Sequence, residues 1–419
     1  MTLKIDASEL YTTTCVFEMP KVHSTHKDKI LDRFKKESHG DSDQKLSSYR
    51  CAKSFKLDFE KSINLAKNFR SKFKRLIVLG TGGSSLGSKA VVDALRPKID
   101  REIFFIENLD ATDLPKLNDD ELKETALIAI SKSGNTLETL VSLQHYTERF
   151  TTAGLKISEH FVAISDAESK APLASWAQEN SVPLLKMDPL LGGRWSVTSV
   201  VGTFPLAFCG IDTKAFVAGF EKRFEHFPSE DVIELALRFA DFDTANLNVH
   251  SQWFYSSRLK EIGSWWKQLW SESLGKKKGS NFVGAFACPA TGAVDQHSVL
   301  QQMTEGRNDA YTGFVFVEKN QNDIEVKKLD PLFAKKIAFA ENKSWHQLLQ
   351  AQGLATRQSL IKSERSTYAL HLDQISEESL GDFMAFWMDI TALVGAAFEV
   401  NPFNQPGVEL GKKILPEYI

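Results

Sequence analysis

Five short segments hold the residues whose types and spacing could do chemistry together. GTGGSSLGS (80–88) and SKSGNTLET (131–139) are rich in Gly, Ser and Thr. GGRWS (192–196) carries the cation Arg194, WWKQLWSESLGK (265–276) the carboxylate Glu272, and FNQPGVELGK (403–412) the amine Lys412. Between the last two, DQHS adds His297. Two anion-holding loops with Arg, Glu, His and Lys are the parts needed to move a proton on a phosphorylated sugar.

Each loop has rival readings. In GTGGSSLGS, glycines let the backbone turn tightly and present N–H groups to an anion at a helix N-terminus. A dinucleotide fingerprint would need a third glycine where Ser85 stands, although Glu107 ends the next apolar run, where a ribose-binding acid would lie. A nucleotide P-loop would need Gly-Lys-Ser/Thr, and the chain has Gly87-Ser88-Lys89. A strand-to-helix turn that binds nothing is the plain alternative. In SKSGNTLET, the hydroxyls of Ser131, Ser133 and Thr136 fall within six residues, which suits one phosphate; singly they also suit helix caps. Two such loops together favour a monophosphate.

The charged groups are ambiguous one at a time. Arg194 follows two glycines and could stabilise a developing oxyanion or serve a structural ion pair. Gln268 and Glu272 are spaced i and i+4, so one helix face presents both. Trp265, Trp266 and Trp270 could desolvate Glu272 and raise its pKa, or simply be core. His297 and Lys412 read equally well as ordinary surface residues.

The elements that must position these groups show in the apolar runs. RLIVLG, EIFFIEN, TALIAIS and HFVAISD are short apolar stretches separated by helical ones such as 89–95 and 137–150. This alternation predicts a parallel sheet covered on both faces, with both loops at strand ends. After a helical bridge at 214–243, VHSQWFY, VGAFACP, YTGFVFVE and TYALHLD repeat the pattern, and a long apolar helix spans 376–400. The fold expected is α/β, with two doubly wound parallel-sheet domains. The divisions are 1–50 (a solvated helical leading segment), 51–212, 213–400 and a tail, 401–419. KKKGSN (276–281) reads as a loop.

Net charge is −3, so no global basic field calls for nucleic acid or an anionic membrane. No uncharged apolar run reaches membrane-span length and none at the N-terminus looks like a signal peptide. Cys15, Cys51, Cys209 and Cys288 are far apart with no C-x-x-C spacing, which argues against a zinc cluster and fits a reducing cytoplasm.

The assembly resembles the glucose-6-phosphate isomerase family over roughly 76–412. FNQPGVELGK matches that family's C-terminal signature, and GGRWS its Gly-Gly-Arg-aromatic-Ser signature, with Trp195 where Phe or Tyr is usual. The resemblance implies two sugar-isomerase (SIS) domains and reversible conversion of glucose 6-phosphate and fructose 6-phosphate through an enediol. It implies Glu272 as base, His297 and Lys412 in ring opening, and Arg194 beside the enediolate. Gln268 and Gln405 would contact substrate, and Gly83, Ser84, Ser131, Lys132, Ser133 and Thr136 the phosphate. It also implies a homodimer, with His297 open to donation across the interface, and no metal or other cofactor; the missing signal and span, with the cysteines, give the cytoplasmic expectation. The alternatives are a non-catalytic phosphosugar-binding regulator, an amino-sugar isomerase, and an isomerase that also takes mannose 6-phosphate.

Overall fold

The computed structural model describes residues 3–7, 23–38, 46–166, 170–320 and 323–419; Cys15 and parts of the expected leading segment lie outside them. In chain order the strands are β1 (Lys4–Asp6), β2 (Arg75–Leu79), β3 (Glu102–Ile106), β4 (Thr125–Ile130), β5 (Phe161–Asp166), β6 (Leu184–Met187), β7 (Val249–Phe254), β8 (Lys276–Lys278), β9 (Asn281–Val283), β10 (Phe286–Thr291), β11 (Ala310–Lys319) and β12 (Thr367–Gln374).

The first sheet runs β3-β2-β4-β5-β6, and every pairing is parallel. Its central strands are apolar throughout because helices cover both faces; all six residues of β4 are buried. The chain leaves β2 in one direction to make β3, then passes back to make β4. The crevice between the ends of β2 and β4 is therefore a topological switch point, where open α/β sheets bind ligands. Residues 80–85 leave β2 there and lead into the helix Leu86–Ala94, and residues 131–136 leave β4 and lead into the helix Leu137–Thr152.

The second sheet runs β1-β12-β11-β7-β10. Pairings among β7, β10, β11 and β12 are parallel and repeat the winding of the first sheet. The edge strand β1 is antiparallel to β12, which corrects the all-parallel expectation. It also corrects the purely helical leading segment. Leu3, Ile5 and Ala7 pack on the core while Lys4 and Asp6 alternate with them, a strand period too short to stand out. The helix Lys27–Ser38 buries Ile30 and Phe34 and packs against the helix Glu377–Phe398, so it belongs to this half of the molecule.

The helix Glu377–Phe398 opens with a capping box between Ser376 and Ser379 and is buried from Phe383 to Phe398. It is long and apolar enough to cross a membrane, but 94% of its apolar window lies inside the protein. One hydrophobic cluster reaches from the inner face of the first sheet through this helix to the second sheet. Residues 276–283 are another correction. They form a hairpin, β8 against β9, turning at Gly279-Ser280 with Gly279 at φ +61°. The three lysines masked that turn signal.

Candidate active site

The first anion loop is built by contact with the Arg194 turn. A Cβ on Gly83 would lie 2.2 Å from the carbonyl carbon of Gly193, so only glycine lets these two backbones meet. Gly82 has φ +58°, and a Cβ there would sit 2.8 Å from Gln268 Nε2. The loop is thus pressed against both GGRWS and the helix Lys260–Leu274. Behind it, the Ser85 hydroxyl donates to Glu107 Oε1 at 2.6 Å, and Lys89 pairs with the same carboxylate. Glu107, the acid that would hold a ribose, is committed to fixing the loop. The Ser84 hydroxyl has no hydrogen-bond partner among the described residues.

The second loop closes on itself. Ser131 Oγ lies 2.8 Å from Thr136 Oγ1 and accepts the Thr136 N–H at 3.4 Å, while Ser133 Oγ accepts from the Asn135 N–H at 3.4 Å. Lys132 is half-buried, and burial pulls its pKa down, aided by the nearby Arg194 charge and opposed by Asp166 and Asp188. A cation short of solvation beside a hydroxyl cluster suits an anion.

Arg194 is the hub. Its side chain is 3% exposed. Nε donates to Ser273 Oγ at 2.7 Å, one terminal nitrogen to Gln405 Oε1 at 3.0 Å, and the other to the carbonyls of Pro402 (2.6 Å) and Asn404 (3.0 Å). Its guanidinium lies 3.6 Å from Glu272 Oε1. Burial lowers its pKa to about 10, and Glu272 works against that shift. Four elements therefore converge on one cation: the first loop through Gly83–Gly193, the Arg194 turn itself, the helix carrying Glu272, and the tail.

Of the two readings of the tryptophans, the structure bears out the core one for Trp266 and Trp270. Trp266 and Trp270 face the core against His250 and Trp387, while Trp265 donates its indole N–H to Arg194 O at 3.3 Å. Helical geometry explains it: only Trp265, seven residues from Glu272, shares its stripe. The Glu272 side chain keeps 24% exposure, with a cation as neighbour. One turn earlier, Gln268 Oε1 is buried with no partner, an acceptor awaiting a donor.

His297 and Lys412 are not drawn into this network. His297 ends an exposed short helix after β10 and makes no hydrogen bond among the described residues. Lys412 is exposed on the helix Glu409–Ile414 and pairs with Glu409 at 2.8 Å. Sequence reasoning missed Lys276. Its Nζ donates to Glu272 O at 3.0 Å and also to Asn404 O, the carbonyl that Arg194 holds. Burial lowers its pKa to about 8, with Arg194 adding to the shift and Glu272 opposing it. The signal was its position, four residues after Glu272.

Comparison with known proteins gives the family. Residues 58–418 match the family model described as phosphoglucose isomerase. The chain is 32% identical over 353 residues to glucose-6-phosphate isomerase of Campylobacter jejuni, covering 82% of this chain and 84% of that one. A crystal structure of a hypothetical protein from Thermus thermophilus superposes with a TM-score of 0.85 at 29% identity, covering 100% and 99% of the two chains. A glucose-6-phosphate isomerase from Chlamydia trachomatis shares the fold, with a TM-score of 0.80 at 23% identity over 95% of this chain and 84% of that one.

Proposed function

Because the chain belongs to the phosphoglucose isomerase family, we propose that it interconverts glucose 6-phosphate and fructose 6-phosphate. The observation that carries the reading is the Arg194 hub, which gathers Glu272 and Gln405 beside a switch-point anion loop. The phosphate sits between the two loops, on Gly83, Ser84, Ser131, Ser133 and Thr136, with Lys132 balancing its charge. Glu272 takes the proton from C2 and returns it at C1. The electron pair left behind goes to the carbonyl oxygen, and Arg194 stabilises the resulting enediolate. Gln268 and Gln405 hold substrate hydroxyls.

His297 and Lys412 carry protons between the ring oxygen and the anomeric hydroxyl. Lys412 reaches the substrate by way of the clamped tail, seven residues beyond Gln405. His297 serves the site of a second subunit. Its exposure, with Val294 69% exposed beside it and Phe286 65% and Phe282 79% exposed nearby in sequence, supports a homodimer joined there. Residues 51–212 anchor the phosphate, and 213–400 together with the tail supply the proton chemistry. The unbridged Cys209 and Cys288 support a cytoplasmic setting.

The test is turnover of fructose 6-phosphate to glucose 6-phosphate by the purified protein, with mannose 6-phosphate as the rival product. Formation of glucose 6-phosphate alone is expected. Phosphosugar binding without turnover would return the chain to the regulator reading.

A further inference from the structure

The second sheet has a switch point of its own, between the ends of β7 and β11, and the proposed reaction does not use it. A cleft of about 510 Å³ opens there. That is within the usual range for small-molecule sites, roughly 300–1,000 Å³. Its cationic end is Ser256, Ser257 and Arg258, which leave β7 at the position where the anion loop leaves β2. The two serine hydroxyls have no hydrogen-bond partner among the described residues. Arg258 donates Nε to Ala94 O at 2.6 Å, which fixes the side chain, and its two terminal nitrogens have no partner among the described residues. Glu377, whose charge acts on Arg258, is paired with Lys98 at 2.8 Å.

The rest of the lining mixes apolar and aromatic side chains with polar ones, among them Lys319, which is paired with Asp373 at 2.7 Å. Its apolar part is Ile324, Leu348 and Leu349 with Trp345, which is 62% exposed. These residues are held in place. Trp345 N–H donates to Ile324 O at 2.8 Å, and Gln350 donates to Tyr255 O at 2.9 Å while accepting the Val317 N–H at 3.1 Å. The one lining carboxylate, Asp323, has an oxygen taken by the N–H groups of Ile324 and His346.

We propose that this cleft binds a nucleoside monophosphate, the phosphate on Ser256, Ser257 and Arg258 and the base against Trp345. A cation with unpartnered donors at a strand end matches a phosphate. An exposed indole beside aliphatic side chains matches a flat ring and offers little to the hydroxyls of an open-chain sugar. The site is separate from the Arg194 hub and does not depend on the isomerase reading.

The test is calorimetric titration of the full-length protein with AMP, adenosine and inorganic phosphate, repeated in excess fructose 6-phosphate. AMP is expected to bind more tightly than either fragment, and fructose 6-phosphate should leave its affinity unchanged. Trp345→Ala and Ser257→Ala, both at exposed positions, are each expected to weaken AMP by about tenfold, the loss of one good contact. Isomerase turnover should stay at the wild-type rate in both. The proposal is overturned if millimolar AMP gives no heat, if inorganic phosphate binds as well as AMP, if fructose 6-phosphate displaces AMP, or if neither variant weakens it.

Discussion

The two sheets share one winding and differ in what surrounds it. At the first switch point the loops are Gly, Ser and Thr, and backbone meets backbone at Gly83 and Gly193. At the second, the loop after β7 has no glycine, and the strands pack on an aromatic core in which His250 is surrounded by Trp266, Trp270, Tyr311, Tyr368 and Trp387. The first half leaves Gly, Ser and Thr at its strand ends, a set that suits an anion. The second packs the helix Lys260–Leu274 on its core, with Gln268 and Glu272 on the less buried face. One topology repeated in a chain thus presents two different strand-end surfaces, with the buried Arg194 joining the first loop, the helix and the tail.

Glu272→Gln breaks the comparison most severely. It should lower kcat by roughly 10²–10⁴-fold and leave KM little changed, because the phosphate site lies in the other half. Steady-state kinetics check the split. Arg194→Met removes a cation that both halves share. A loss of about 10²–10³-fold in kcat is expected, as for an oxyanion donor. The released tail should also be cut faster by protease near Pro402–Gln405, and unchanged cleavage would detach the tail from the hub.

Gly83→Ala sharpens the contrast between the loops. Its Cβ must push Gly193 away, costing about 1–3 kcal/mol of stability and raising KM. Ser256→Ala in the second sheet should leave both untouched; thermal melts and kinetics on the pair decide it. Ser131→Ala, which removes the partner of Thr136, should raise KM by about tenfold with a smaller effect on kcat.

The smallest effect concerns pH. Lys276 titrates at about 8 in the folded chain against an ordinary 10.5. Between those values the unfolded chain holds the proton that the folded chain has shed, so stability from this group rises with pH across that window. Lys276→Met should remove that slope, as read from urea midpoints on either side of the window. An unaltered slope would mean that the amine is not desolvated against Arg194.

Much of this was legible in the sequence, for physical reasons that also mark where it stopped. The central strands β2 and β4 of the first sheet are near-continuous apolar runs, and the loops after them announce themselves by glycine and hydroxyl content. β1 and β6 are edge strands of three and four residues, too short for a period to show. The β8–β9 hairpin was hidden by lysines that stay in solvent. The role of the tryptophans stayed open between core and desolvation because composition does not say which stripe of a helix faces inward. Lys276 acts through a carbonyl on the tail, 128 residues away, which no local pattern reports. His297 and Lys412 are exposed and outside the hub's hydrogen bonds, and no local pattern reports that.

The most direct test of Glu272 as the base is isotope incorporation. Fructose 6-phosphate and enzyme are equilibrated in heavy water, and deuterium at C1 and C2 of the sugar phosphates is followed by NMR. The wild type should place solvent deuterium at those carbons, because the proton resting on Glu272 exchanges before it is returned. Glu272→Gln should place none while still binding the sugar phosphate. Incorporation at the wild-type rate in Glu272→Gln would contradict the account at its centre.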